Sequence, residues 1–477
     1  MCLPLRPRLA VVSRLLFTVC LAVSEGAVPA VFAFIFSVCL PRTRLPPRLA
    51  KKNCGSRACS GPPKAFEQLD WAVHEGGINF IDTAELYPVP PVPETAGMTE
   101  EMIGRWLAKG GDALRKKIIL ATKVAGYSKG RGYIVEKRKQ TLGTEVDDPK
   151  SFATHLSREQ ILEACDASLK RLQTSYIDLY QLHWPERYTP LFGELGYKRA
   201  SERGHDSVAM EETVSAVGEL IKAGKVRYWG LSNENAFGVT KFVQVCQKLG
   251  VPLPVSIQND FAFVDRRFEQ DGTAEACSPL NVGGNGIGLL AYGALAGGTL
   301  SGKYAEKAAE SEQSRHTKFP GFQPRYHADA TREIAAEFAK VAIEQAMRPA
   351  LYYHYYYYCC GCVCVFLFLF VSMHACMYYV CVYTHTHPYT HPHTHIPQVA
   401  KKHGMRPAQL ALAWAASREY MGSVIIGATS MEQLKENVAA FDITIPKECL
   451  AELEELYLKF ERPYFCNVSR MGRNNPN

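Results

Sequence analysis

The 477-residue chain is predicted to fold as an α/β barrel of the (β/α)8 type, a TIM barrel, in which the first strand is missing. Short apolar runs alternate with amphipathic helical stretches along most of the sequence, which favours one large α/β unit. The runs are continuously apolar, as is typical of parallel strands that are covered on both faces. Seven such runs are present, one fewer than a closed barrel of this type contains.

The predicted elements alternate regularly from residue 65 onward. The first is a helix over 65–75, with an apolar stripe that includes Phe66 and Leu69 and an end at Gly76-Gly77. The predicted strands are 78–84, 118–124, 176–183, 226–232, 255–261, 286–292 and 424–429. The later helices are predicted at 97–109, 158–173, 211–223, 236–249, 330–340 and 406–418. Ser157 and Gln160 form a capping-box pattern before the helix at 158–173.

Four short motifs close successive predicted strands. They are Phe-Ile-Asp-Thr-Ala-Glu-Leu-Tyr from Phe80, Ala-Thr-Lys from Ala121, Leu-His-Trp-Pro from Leu182 and Trp-Gly-Leu-Ser-Asn from Trp229. They supply an acid, a phenol, an ammonium and an imidazole: Asp82, Tyr87, Lys123 and His183. Catalytic groups of such barrels gather at the carboxyl ends of the strands, so we expect these four side chains to meet there.

The motifs and their order resemble those of aldo-keto reductases, in particular the bacterial-type and potassium-channel β-subunit-like branch. The resemblance implies a nicotinamide-dependent reduction of aldehydes or ketones. Tyr87 would donate the proton, since an adjacent ammonium from Lys123 lowers the pKa of a phenol from its usual value of about 10. Asp82 would keep Lys123 charged, and His183 would orient the carbonyl oxygen. Taken singly, Lys123 also suits a Schiff-base lysine, and Tyr87 and His183 suit packed structural residues.

The resemblance also implies a cofactor site at the mouth of the barrel. Ser232, Asn233 and Gln258 would hold the nicotinamide carboxamide, and the ring of Tyr292 would stack on the nicotinamide. Lys303 and Arg315 would supply charge near the pyrophosphate. The adenosine end would lie at a turn and helix that contain Ser430, Gln433 and Asn437. NADPH is the expected cofactor, with NADH as the alternative because Thr429 stands where many relatives carry Arg or Lys.

Two segments do not fit the barrel pattern. The predicted divisions are an uncertain N-terminal segment at 1–62, the first part of the barrel at 63–340, an insert at 341–398, the last part of the barrel at 399–462 and a tail at 463–477. The first segment has arginines around apolar runs, which is typical of a signal or organelle-transit sequence, but translated non-coding sequence has the same composition. Cys-Ser-Gly-Pro-Pro from Cys59 stands where the family's first strand would end.

The insert has three interpretations. Its apolar part from Cys359 to Tyr383 is long enough for a transmembrane segment, and its cysteines and histidines could form a metal tract. Thr-His-Thr-His and Cys-Val-Cys-Val are, however, what two-nucleotide repeats encode, and joining Lys340 to Val399 restores one amphipathic helix. We therefore interpret 341–398 as retained intron sequence, and we expect no membrane role and no metal site.

Charge and cysteine content narrow the class of protein. The net charge is +7, but nine basic residues and only one acid lie in the first 61 residues, so the barrel is close to neutral and a nucleic-acid partner is not expected. Of the 16 cysteines, five precede residue 60 and six lie between Cys359 and Cys381. The scattered remainder is typical of a reduced, cytoplasmic protein, with organelle targeting as the alternative.

The sequence leaves four functions open. The first is an NADPH-dependent carbonyl reductase whose partner is a small carbonyl substrate. The second is a redox-sensing, cofactor-binding regulatory subunit of a membrane channel. The third is a membrane-anchored reductase that uses residues 359–383, and the fourth is an inactive product of a faulty gene model. The sequence specifies neither the physiological substrate nor the oligomeric state.

Overall fold

The computed structural model describes residues 16–21, 35–38, 63–144, 153–192, 196–203, 205–304, 323–326, 331–341 and 405–459. For the two N-terminal ranges only the backbone is described. Most of the 341–398 insert, the predicted cofactor residue Arg315 and the C-terminal tail therefore lie outside the described residues.

The strands form one closed sheet. In chain order they are β1 (Leu16–Leu21), β2 (Ile35–Val38), β3 (Ile78–Asp82), β4 (Ile119–Val124), β5 (Ile177–Leu182), β6 (Val226–Ser232), β7 (Ser256–Asp260), β8 (Gly288–Tyr292) and β9 (Met421–Ala428). From β3 to β9 every neighbouring pair is parallel. The seven predicted strands are thus confirmed, each within a few residues of its expected bounds.

Two short strands occupy the place of the missing first strand. β1 runs parallel to β9, with Thr18 opposite Ile425, and β2 is antiparallel to both β1 and β3, with Ile35 opposite Asp82. Both strands come from the N-terminal segment that the sequence leaves unassigned. The fold class is confirmed as a (β/α)8-type barrel. Seven of its strands are regular and parallel, and the short strands β1 and β2 stand where the first barrel strand would be.

The helices pack around this sheet. They are α1 (Pro63–His74), α2 (Met98–Arg115), α3 (Gly132–Leu142), α4 (Arg158–Leu172), α5 (Arg199–Arg203), α6 (Met210–Lys222), α7 (Ala236–Leu249), α8 (Arg267–Gln270), α9 (Thr273–Cys277), α10 (Pro279–Val282), α11 (331–341), α12 (Pro407–Ala416), α13 (Met431–Ala439) and α14 (Lys447–Lys459). The predicted cap of α4 is present, since Ser157 Oγ accepts a hydrogen bond from Gln160 N at 3.3 Å.

The barrel interior has an apolar layer below a polar one. Phe80, Ala121, Leu179, Leu290 and Ile425 pack together inside the sheet. Side chains alternate between the two faces of a strand, so the residue two positions further along points to the same interior. After the first three of these residues the next inward positions are Asp82, Lys123 and Gln181, and all three are fully buried. Buried polar groups therefore face the carboxyl end of the barrel.

Within the described residues, no helix combines the length and the apolar character needed to cross a membrane. The described part of the chain also contains no cluster of side chains able to hold a metal ion. Cys165, Cys246, Cys277 and Cys449 are buried thiols. The transmembrane and metal interpretations of the insert concern residues outside the described ranges.

Candidate active site

An ion pair between Asp82 and Lys123 lies at the base of the barrel mouth. Asp82 is the last residue of β3, and Lys123 is the fifth residue of the neighbouring strand β4. Lys123 Nζ donates to Asp82 Oδ2 and also to the carbonyl oxygen of Thr83 at 2.8 Å. Neither side chain of the pair is exposed to solvent. A charge at this depth needs a partner, because burial alone would neutralise it.

The second carboxylate oxygen of Asp82 accepts from two amides. Gln181 Nε2 donates to Asp82 Oδ1 at 2.6 Å, and Gln258 Nε2 donates to the same oxygen at 3.2 Å. Burial raises the pKa of Asp82, whereas Lys123, Gln181 and Gln258 oppose this rise. The charge of Asp82 therefore depends on the three donors around it.

Tyr87 lies next to Lys123 of the ion pair. Lys123 Nζ is 5.0 Å from the centroid of the Tyr87 ring. The turn after β3 places this ring, since Tyr87 N donates to Ala84 O at 3.0 Å and Thr99 Oγ1 donates to Tyr87 O at 3.4 Å. Tyr87 is partly exposed, so it borders the barrel mouth.

His183 completes the group of four predicted catalytic residues. Its ring centroid is 5.6 Å from that of Tyr87, with the planes nearly perpendicular. Its backbone N donates to Val124 O at 2.9 Å, which fixes the end of β5 against β4. Burial lowers the pKa of His183 well below its usual value, and Lys123 and Arg131 lower it further. The imidazole is therefore neutral near pH 7, with one nitrogen able to donate and the other able to accept.

The residues predicted to hold the nicotinamide form one hydrogen-bonded cluster. Tyr292 Oη donates to Asn233 Oδ1 at 2.7 Å, and Asn233 Nδ2 donates to Ser232 Oγ at 3.1 Å and to His183 O at 2.8 Å. Ser232 Oγ donates to the carbonyl oxygen of Gln258 at 2.9 Å. The strand ends of β6, β7 and β8 are thereby connected to the backbone of His183.

This cluster fits a nicotinamide ring in its chemistry. Asn233 has a left-handed backbone with φ 55°, a conformation that Asn tolerates better than most residues, and its side chain lies at the rim of the mouth. Asn233 and Tyr292 are partly exposed there, while Ser232 and Gln258 are buried. Amide and hydroxyl groups suited to a carboxamide thus stand beside an aromatic ring.

Lys303 lies on the loop after β8, next to Gly298. Lys303 is exposed, and a Cβ added at Gly298 would lie 2.9 Å from its Nζ. Gly298 also has φ 103°, which side chains rarely adopt. The glycine therefore leaves room for the lysine to lie close to the backbone. Arg315, predicted to act with Lys303, lies outside the described residues.

The predicted adenosine-binding turn is held by its own side chains. Ser430 caps α13 and accepts from Gln433 N at 3.3 Å. Gln433 Oε1 accepts from Thr429 N at 2.9 Å and from Thr429 Oγ1 at 2.8 Å. Asn437 Nδ2 donates to Gly427 O at 3.1 Å. These three residues shape the turn after β9, and the positive end of the α13 dipole faces it.

Two aromatic residues of the segment after β5, Trp184 and Phe192, lie together beside His183. The rings of Trp184 and His183 are 5.0 Å apart, and those of Trp184 and Phe192 are 6.3 Å apart. Phe192 is 63% exposed, so it forms the outer edge of this wall. Tyr188 instead faces Tyr197, with ring centroids 5.3 Å apart.

The sequence reasoning missed two buried groups beside the site. Gln181, described above, was one. The other is an ion pair in which Arg138 on α3 donates to both oxygens of Glu85, while Glu85 Oε1 also accepts from Ala125 N at 2.7 Å. This pair connects the turn before Tyr87 to the end of β4. Gln181 could have been found from the alternation of β5, because it lies two residues after Leu179 and so points to the same barrel interior. No local sequence pattern predicts the pairing of Arg138 with Glu85.

The sequence matches one protein-family model and several known proteins. A sequence model described as "Aldo/keto reductase family" matches residues 55–359 and 387–458, so 360–386, inside the predicted insert, are unmatched. The chain is 35% identical over 399 residues to Protein tas of Escherichia coli K12, covering 84% of this chain and 90% of that protein. It is 34% identical over 232 residues to an aldo-keto reductase of Babesia bovis, covering 48% and 75%. It is 24% identical over 382 residues to L-glyceraldehyde 3-phosphate reductase of Escherichia coli O157:H7, covering 80% of each.

Proposed function

The chain belongs to the aldo/keto reductase family, and from this premise we propose that it reduces aldehydes or ketones to alcohols with NADPH, with Tyr87 as the proton donor. Membership makes it an NAD(P)H-dependent oxidoreductase. The observation that supports the finer proposal is the convergence of Asp82, Lys123, Tyr87 and His183 at the barrel mouth.

The proton transfer follows from these contacts. Tyr87 is partly exposed at the mouth, so its hydroxyl can reach a carbonyl oxygen bound there. When the tyrosine gives up its proton, the ammonium of Lys123 stabilises the phenolate that remains. Asp82 holds this ammonium in place and keeps it charged. Lys123 and Asp82 thus adjust the acidity of Tyr87 without contacting the substrate themselves.

His183 would position the carbonyl oxygen. Because its imidazole is neutral near pH 7, it presents a single N–H donor and does not compete with Tyr87 as the acid. Its ring centroid lies 5.6 Å from that of Tyr87, so the two donors lie close together at the mouth. Two hydrogen bonds to one oxygen would stabilise the negative charge that develops there during reduction.

The cofactor would be held by the residues around Asn233. We assign Ser232, Asn233 and Gln258 to the carboxamide, Tyr292 to the face of the nicotinamide ring and Lys303 to the pyrophosphate. A bound NADPH supplies the hydride for the carbonyl carbon. The turn that contains Ser430, Gln433 and Asn437 would receive the adenosine end, with the α13 N-terminus near the 2′-phosphate.

The substrate would be a small aldehyde or ketone. Trp184 and Phe192 provide an apolar wall on one side of the mouth, and Arg131 lies 4.8 Å from the Trp184 ring centroid. One cation beside an aromatic wall suits a carbonyl compound with an apolar part and an acidic group. The name of one relative, L-glyceraldehyde 3-phosphate reductase, also specifies an aldehyde with an acidic group.

Fluorescence titration of the full-length chain with NADPH and NADH, followed by turnover with a panel of small aldehydes, tests the proposal. We expect tight NADPH binding and aldehyde-dependent NADPH oxidation. Binding without oxidation would contradict the reductase and favour the regulatory subunit of a channel. Failure to bind either nucleotide would reject both functions.

A further inference from the structure

Gln181 occupies the centre of the polar layer below the catalytic residues. It lies on β5 between Leu179 of the apolar layer and His183 at the strand end, and its side chain is fully buried. Its amide nitrogen donates to Asp82 Oδ1 at 2.6 Å, and its amide oxygen accepts from Gln258 Nε2 at 3.1 Å. Both ends of the amide are therefore engaged, which fixes its orientation.

Asp82 depends on this amide. Its contact with Gln181 is shorter than its 3.2 Å contact with Gln258, and Gln258 is also the side chain assigned to the cofactor. Lys123 on β4 donates to Asp82, the Tyr87 ring centroid lies 5.0 Å from Lys123 Nζ, and the His183 ring centroid lies 5.6 Å from that of Tyr87. Lys123 donates to the other carboxylate oxygen of Asp82. Of the two neutral donors, Gln181 therefore makes the shorter hydrogen bond to this carboxylate.

We propose that Gln181 is a positioning residue that keeps Asp82 ionised and in contact with Lys123, and thereby maintains the ammonium next to Tyr87. This inference rests on the proposed function but concerns a residue outside the four catalytic positions. Without the amide, the buried carboxylate loses a donor, so transfer of a proton from Lys123 to Asp82, which leaves both side chains neutral, becomes more favourable. A neutral lysine no longer stabilises the Tyr87 phenolate.

Two variants of Gln181 separate this role from simple packing. Gln181→Met keeps the length of the side chain without a donor, so kcat should fall at every pH while NADPH affinity changes little. Gln181→Glu can donate to Asp82 when it is protonated and opposes Asp82 when it is ionised. Its kcat relative to the wild type should therefore recover at least about tenfold as the pH is lowered from about 9 to about 6. A packing role would give the same relative kcat at both values and would overturn the proposal.

A second readout does not need activity. Urea denaturation at about pH 8 measures the factor by which Gln181→Glu increases the unfolding equilibrium constant. This cost is determined once in the wild-type background and once in the Asp82→Asn background. We expect this cost to be at least about tenfold larger when Asp82 is present, because the two carboxylates then face each other. Equal costs in both backgrounds would overturn the proposal.

Gln181→Met in the same two backgrounds serves if Gln181→Glu does not fold. The cost of Gln181→Met should again be larger when Asp82 is present, because a buried carboxylate needs the lost donor more than the neutral amide introduced by Asp82→Asn does. If the wild type reduces no carbonyl compound, the proposed function fails, but the denaturation cycle still decides whether Gln181 supports the charge of Asp82.

Discussion

The ammonium of Lys123 lies 5.0 Å from the ring centroid of Tyr87. This places a buried positive charge beneath a phenol that is partly exposed at the barrel mouth. The charge can act on the acidity of the phenol without meeting the substrate. The roles of both residues can therefore be tested separately.

Removing the Tyr87 hydroxyl should stop the chemistry and spare the cofactor. Tyr87→Phe loses the proton donor but keeps the ring, so we expect turnover to fall by roughly 10²–10⁴-fold with NADPH affinity nearly unchanged. Steady-state kinetics and fluorescence titration measure the two quantities. Tyr228→Phe, at a tyrosine that is 60% exposed, is the matched control and should leave both unchanged. Normal turnover in Tyr87→Phe would remove Tyr87 from the mechanism.

Replacing Lys123 should destabilise the fold as well as stop the reaction. Lys123→Met leaves the Asp82 carboxylate buried without its partner, which should cost about 3–5 kcal/mol in the free energy of unfolding. Adding Asp82→Asn should restore part of that loss, since no charge then remains. Arg158→Met, which breaks an exposed ion pair with Glu219, is the control for a pair in solvent and should change little. Equal effects at the two sites in urea denaturation would argue that the buried pair is not formed.

The lowered pKa of His183 predicts how stability depends on pH. Below about pH 6.5 the unfolded chain binds a proton at this histidine that the folded protein does not bind. Folding stability should therefore decrease as the pH is lowered through that range. His183→Asn removes this term and should flatten the curve of urea midpoint against pH. Above about pH 6.5 neither state is protonated, so the two curves should run parallel there. Equally steep curves at acid pH would show that His183 is charged in the fold.

Lys303 should matter for cofactor binding alone. Lys303→Met removes an exposed cation assigned to the pyrophosphate, so NADPH affinity should fall by about tenfold while the stability of the fold is kept. Lys248→Met is the control, since Lys248 lies near the far end of α7 and pairs with Glu211 at 3.4 Å. Unaltered affinity in the fluorescence titration would take Lys303 out of the site.

The insert should be dispensable. Deleting 341–398 joins Lys340 to Val399 and restores one amphipathic helical pattern. We expect the shortened chain to bind NADPH at least as tightly as the full chain and to unfold in a single cooperative transition. Loss of binding on deletion, with binding by the full chain, would show that 341–398 is part of the functional protein.

Much of the barrel could be predicted because its signals are local. Continuous apolar runs specified β3 to β9, and Ser157 with Gln160 specified the start of α4. Helix α3, in contrast, lies between residues 125 and 156, where no helix was predicted. It contains the charged run Glu-Lys-Arg-Lys from Glu136, and Arg138 of this run is buried only because Glu85 meets it from a different part of the chain.

The residues of the candidate site likewise differ in whether local sequence predicts them. The four residues predicted to be catalytic lie at or soon after strand ends, so their motifs could be read directly, and the structure places them close together. Gln181 could not be assigned in this way, since its contact with Asp82 spans 99 residues and depends on the stagger of β3, β4 and β5. The strands β1 and β2 were missed because the apolar runs of the N-terminal segment were interpreted as a targeting sequence or as translated non-coding sequence, whereas in the structure they pair with β9 and β3.

Transfer of label from NADPH to product tests the central claim most directly. The full-length protein is incubated with an aldehyde and with NADPH that carries deuterium at its transferable position, and the product alcohol is examined by mass spectrometry. We predict deuterium on the carbinol carbon with the wild type, and roughly 10²–10⁴-fold less labelled alcohol with Tyr87→Phe. Bound NADPH with no labelled alcohol from any aldehyde would contradict the account and leave a cofactor-binding protein that is not a reductase.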